Sequence, residues 1–172
     1  MVKITDIQIG NFFNFTNELG EKVPVRVYGI ENSIRMDDKS SIGIVKISGK
    51  TTTTSTVVDM LEPIPLTPEY LKKINCVVDN DYEIKGAKKY GDTYVVACIA
   101  DVDYVLVPDW REQPSYFFGQ VYTDSPFRED ENMVHTIMFN VKYLHELQNI
   151  LHWVSWGEHD EYMYNDIVNS NL

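Results

Sequence analysis

Asp101 and Asp103 are the first side chains in this sequence whose type and spacing could do chemistry. On a strand, residues two apart share a face at roughly 7 Å. From there a D-x-D pair can hold a divalent cation or share a proton. No third ligand is identifiable, so a solvated strand face or turn stands beside a hydrolytic reading. His145 and His152 are seven residues apart, about 10.5 Å along a helix axis. Chelating pairs sit at i, i+3 or i, i+4, so these two alone cannot share a metal. Glu158-His159-Asp160-Glu161 sets ligand types side by side, a poor metal geometry that reads better as a solvated terminus. Cys76 and Cys98 lack CxxC spacing and read as small buried apolar residues in a reducing compartment. No phosphate loop, dinucleotide fingerprint, nucleophile elbow or zinc spacing occurs. The residues therefore indicate no catalytic group, no cofactor and no metal. A hydrolase using Asp101 and Asp103 ranks last among the functional readings.

Binding chemistry has a better candidate in the stretch from Asn140 to Gly157, NVKYLHELQNILHWVSWG. At about 100° per residue, Tyr143, Leu144, Leu147, Ile150, Leu151 and Val154 fall on one arc, which predicts an amphipathic helix. Asn140 suits its N-cap and Gly157 its C′ position. The opposite face collects His145, Gln148, Asn149 and His152, with Trp153 and Trp156 beside them. Solvated helix faces carry Lys and Glu, and here only Lys142 and Glu146 are available. One reading is that a loop or neighbouring strand covers this face. The other is a partner-binding surface of His145, Gln148, Asn149, His152, Trp153 and Trp156, since partner-facing patches concentrate large aromatics and few charges.

The elements that must position this helix follow from patterning. Before residue 62 the chain reads as four or five short strands. Ile7, Ile9 and Phe12 lead into Phe13 and Phe15, with Gly10–Asn11 a bulge or tight bend. Asn17 to Lys22 forms a hairpin turn, and alternating Val23, Val25, Val27 and Ile30 form a second strand. Arg35 to Ser41 is a polar loop. Ile42, Ile44 and Ile47 form the next strand, the Thr51 to Thr56 run a loop or edge strand, and Val57 to Leu61 another strand. Such spacing suggests a small SH3-like barrel or curled antiparallel sheet. Glu62-Pro-Ile-Pro-Leu-Thr is a hinge whose prolines exclude a central strand. Thr67, Pro68 and Glu69 then start a short helix reaching about Asn75. Strands follow at Tyr82 to Lys85, at Tyr94 to Val107 with a break near Ala100–Asp101, at Tyr116 to Tyr122 and at Met133 to Phe139. Pro126 to Asn132 is an acidic turn. The expected class is α+β: a region 1–62, then a region 63–172 whose antiparallel sheet is packed by the C-terminal helix.

Composition is ordinary for a globular chain, with 172 residues, 44% hydrophobic and 24% charged. The opening MVKITDIQIGNFF lacks a secretory signal pattern, and no apolar run approaches the roughly 20 residues of a membrane span. The net charge of −11 is uneven: nine basic and nine acidic residues precede Cys76, and six basic and seventeen acidic follow from it. Direct nucleic-acid binding is thus not expected. An acidic half serves solubility or attracts a basic protein.

Three segments, Asp6-Ile7-Gln8-Ile9-Gly10-Asn11, Glu62-Pro-Ile-Pro-Leu-Thr-Pro-Glu-Tyr-Leu and Val141-Lys-Tyr-Leu-His-Glu-Leu-Gln-Asn, together resemble an uncharacterised family of phage and mobile-element proteins of gut anaerobes. They parallel a D-L-R-I-G-N opening, a P-I-P-L-T-E-E-W-L hinge and a Y-V-H-Q-L-Q-N helix ending in T-G-E-E. Gln8, Tyr70 and Trp156-Gly157-Glu158 depart from that pattern. The resemblance implies phage or prophage origin and transfers no catalytic residue. Together with the helix face it sets the first expectation: a non-enzymatic protein acting through a protein partner, in the host cytoplasm or in the virion. The partner is a host factor, a basic protein or a second copy of the chain. The alternative is a small-ligand-binding or sequestering protein with an aromatic pocket.

Overall fold

A computed structural model describes residues 2–34, 41–49, 53–82, 91–99, 102–109, 115–122 and 139–154. Contacts divide them into two compact units, 2–64 with 143–153 and 65–142 with Val154.

The first unit holds β1 (Phe12–Thr16), β2 (Lys22–Ile34), β3 (Ser41–Ser48), β4 (Thr53–Val57) and β5 (Leu61–Glu62). They form one antiparallel sheet in the order β4-β3-β2-β1-β5. Alternation decides its faces: Val25, Val27, Val45 and Ile47 are fully buried and meet Phe13, Val58 and Leu61, whereas Tyr28 on β2 is exposed. Gly10 takes φ +105, a conformation L side chains avoid, and so makes the bend ahead of β1. Among the described residues β4 and β5 are the sheet's two edges, so it stays open rather than closing as a barrel. The threonine run supplies edge strand β4. Val57 to Leu61 is not one strand: Val58–Met60 is a 3-10 turn, and β5 keeps only two residues before Pro63. Proline lacks the N–H a ladder needs, which stops β5 early.

The second unit opens with α1 (Pro68–Lys73), capped as its sequence predicts. The Tyr70 N–H donates to Thr67 Oγ1 at 3.1 Å, and Glu69's own backbone N–H and the Thr67 hydroxyl hold the Glu69 carboxyl below its usual range. Asn75, at φ 61, ends the helix in a Schellman arrangement. Its N–H donates to the Lys72 carbonyl and that of Cys76 to Leu71. Then come β6 (Val77–Val78), β7 (Tyr94–Ile99), β8 (Val102–Pro108), β9 (Tyr116–Tyr122) and β10 (Phe139–Val141), an antiparallel meander in the order β10-β9-β8-β7-β6. The break falls between β7 and β8, where the sequence places it. β6 carries no sequence signal beyond two valines. The expected strands at 82–85 and 133–139 lie outside the described residues apart from Tyr82 and Phe139, which opens β10. Of the expected 35–41 loop only Ser41 is described, and it opens β3, while the 126–132 turn lies outside. One face of the central strands buries Val105, Val107 and Val121 with Tyr82. The other buries Leu106 and stacks Tyr104 on Phe118, ring centres 5.7 Å apart.

The long helix, α2 (Leu144–Val154), groups with the first sheet as far as Trp153. This corrects the expectation that it packs the second sheet. The chain is mostly β, with two antiparallel sheets and one helix longer than two turns among the described residues.

Candidate functional site

α2 begins later than its periodicity suggests, at Leu144. Asn140 is not its cap: it pairs within β10, its side chain accepts from Ser115 Oγ, and its Nδ2 donates to Asp109 Oδ2 at 3.1 Å. Asp109 and Ser115 are buried, so Asn140 satisfies polar groups that would otherwise be costly there. The start of α2 is fixed by Glu146, whose Oε2 accepts from the Tyr143 N–H at 3.1 Å, half of a capping box.

Leu144, Leu147 and Leu151 form the buried stripe. The polar face splits along its length. Over the first two turns it is covered. His145 is 4% exposed and Gln148 8% exposed. The His145 ring lies 4.8 Å from Phe13 and is stacked 5.9 Å from Tyr143. Gln148 Oε1 accepts from the Phe12 N–H at 2.9 Å, and its Nε2 donates to the Gly10 carbonyl at 3.3 Å. Asn149, half-buried, accepts from Asn11 Nδ2 at 2.8 Å and donates to the Asp6 carbonyl at 3.0 Å. The expected accessibility of His145, Gln148 and Asn149 is thus corrected: the start of the chain and β1 cover them, the covered-face alternative. The last turn stays open. His152 is exposed and Trp153 is 75% exposed. Trp156 and the Glu158–Glu161 cluster lie outside the described residues.

Burial pushes the His145 imidazole below its ordinary value, with Glu146 and Asp6 pulling weakly the other way. Its Nδ1 is buried without a hydrogen-bond partner.

Of the D-x-D pair, Asp101 lies outside the described residues. Asp103 is not a free carboxylate: its Oδ2 accepts from the Tyr82 hydroxyl at 2.5 Å. Burial first, then this hydrogen bond and the carboxylate's charge, push the Tyr82 phenol well above its usual range. Asp103→Ala should therefore lower stability by about 1–2 kcal/mol, since it strands a buried hydroxyl, against the near-neutral effect of a surface change. Urea unfolding of both proteins measures it, and Tyr82→Phe in the Asp103→Ala background should add little. Among the described residues no group of three His, Cys, Asp or Glu could hold a metal ion. Cys98 is exposed, where the sequence suggests a buried residue, and Cys76 is half-buried. Aromatic residues crowd the second unit, with Tyr94 and Tyr116 edge-to-face at 6.1 Å. Tyr116 is buried, and burial raises its phenol to about 12.

What sequence reasoning missed at this site is Asn11. Its side chain accepts from the Gln8 N–H at 2.7 Å and donates to Asn149. The only signal was the Gly10–Asn11 bend beside it.

Compared with protein-family models, curated proteins and solved structures, the chain has no match.

Proposed function

We propose that the protein works without catalysis, as a phage-encoded interaction protein that meets a protein partner through the last turn of α2. The observation behind this is Trp153, 75% exposed beside exposed His152 on a helix whose other polar-face residues are engaged internally. An exposed tryptophan on a rigid helix contributes a large contact area at little entropic cost, and such residues dominate interface energies. The three segments resembling phage and mobile-element proteins support that origin, and with it a place in the host cytoplasm or the virion. The strand order β4-β3-β2-β1-β5, with a 3-10 turn ahead of β5, supports an SH3-like reading of the first unit. No helix among the described residues is long and apolar enough to cross a membrane. The excess of acids from Cys76 onward favours a basic partner over nucleic acid.

The test is quantitative recovery of host proteins on the immobilised chain, wild type against Trp153→Ala. The variant should keep its unfolding free energy within about 0.5 kcal/mol and lose at least about tenfold in affinity for the recovered partner. Equal recovery by both removes Trp153 from the account, and recovery of the chain itself makes the partner a second copy. For a basic partner the association rate should also fall steeply as salt shortens the screening length below about 10 Å. A flat response would remove electrostatic recruitment.

A further inference from the structure

The covered part of the α2 face holds a titratable group where a neutral one is required. His145 is buried between the Phe13 ring on β1 and the Tyr143 ring at the start of α2, and its Nδ1 meets no acceptor. A protonated imidazole carries two N–H donors and a full charge. In this site the charge loses its water and the Nδ1–H has nothing to donate to, a costly combination. Among the described residues the titratable groups facing it are few. Asp6 lies in the 3-10 turn before β1, Glu146 and the Tyr143 phenol lie on α2 or at its start, and β1 contributes no titratable side chain. The two carboxylates favour the charged ring, but burial outweighs them.

His145 also sits among the bonds that fasten the helix. Three and four residues on, Gln148 and Asn149 bind Phe12, Gly10, Asn11 and the Asp6 carbonyl. Displacing the imidazole moves the turn that carries those bonds. We propose that His145 is an acid-sensitive latch: α2 stays docked on the first sheet while the imidazole is neutral, and protonation releases it. The direction follows from linkage. The folded protein holds this proton less tightly than the released chain, whose histidine titrates near 6.5. At higher pH both forms are neutral and docking is unaffected. As pH falls below that value, the released form gains a proton the docked form refuses, so docking weakens until His145 titrates in place.

Amide hydrogen exchange of the full chain tests this between pH 7.5 and 5.0, with each rate corrected for the intrinsic pH dependence of exchange. Protection at Leu147, Leu151 and the Phe12 amide should fall at least tenfold towards pH 5.0 in the wild type. In His145→Phe, which keeps a ring and removes the proton site, protection should stay flat. His152→Gln should respond as the wild type does. Flat wild-type protection overturns the latch, and so does an equal loss in His145→Phe. Should His145→Phe fail to fold, the ring resonances of His145 in the wild type decide. Titration below 6.5 in step with the loss of α2 protection supports the latch, and titration with α2 still protected overturns it.

Discussion

Leu147→Ala should lower the unfolding free energy by about 2–5 kcal/mol, the range for a leucine truncated inside a packed core. Leu147 is fully buried, as are Leu144 one turn before it and Leu151 one turn after. Removing its outer carbons loses their transfer free energy and leaves a void that a close-packed interior closes only in part. The polar bonds of the same helix turn, from Gln148 and Asn149 to the start of the chain, would be strained by any collapse into that void. The upper half of the range is therefore expected. Denaturant unfolding followed by circular dichroism measures it, and an unchanged m value assigns the loss to the folded state. Ile150→Ala serves as the comparison. Ile150 is only half-buried, so its truncation should cost clearly less.

These leucines were legible because helical periodicity needs no partner: the apolar arc reports burial whatever covers it. The same holds for the first sheet, where alternation of Val25 and Val27 with Arg26 and Tyr28 assigns both faces from the sequence. Capping chemistry was legible at α1, where Thr67 and Pro68 act within one turn. At α2 the same local rule misled. Asn140 has the right side chain for a cap, but Ser115 and Asp109, 25 and 31 residues away, claim it. Asp103 is a similar case, because its role depends on Tyr82, 21 residues earlier. Which sheet α2 packs is also a long-range fact. Residues 144 to 149 read equally well against either sheet until the Phe12 amide, which Gln148 meets, is known.

Gln148→Ala should cost about 1–3 kcal/mol, close to what a buried backbone group loses when its partner is removed. The reason lies in the sheet ladder. β1 pairs with β2 on one side from Phe12 to Thr16, but with β5 on the other side only at Asn14 and Phe15. β5 ends at Glu62, before the prolines, so among the described residues no strand reaches the Phe12 N–H on that side. The Gln148 carboxamide takes the missing place. Like a peptide unit it offers one acceptor and one donor, accepting from Phe12 and donating to the Gly10 carbonyl. Gln148→Ala removes both bonds at a buried site. Gln148→Glu separates the two contributions: its carboxylate still accepts from Phe12 but cannot donate to Gly10, and it places a charge where Gln148 is 8% exposed. At neutral pH Gln148→Glu should be at least as destabilised as Gln148→Ala. As pH falls through the glutamate's raised titration range it should recover, because the protonated acid regains a donor. Unfolding free energies of the three proteins at pH 7.5 and 5.5, each taken relative to wild type at the same pH, give the comparison. A Gln148→Ala protein within about 0.5 kcal/mol of wild type would show that the Gln148 carboxamide does not hold α2.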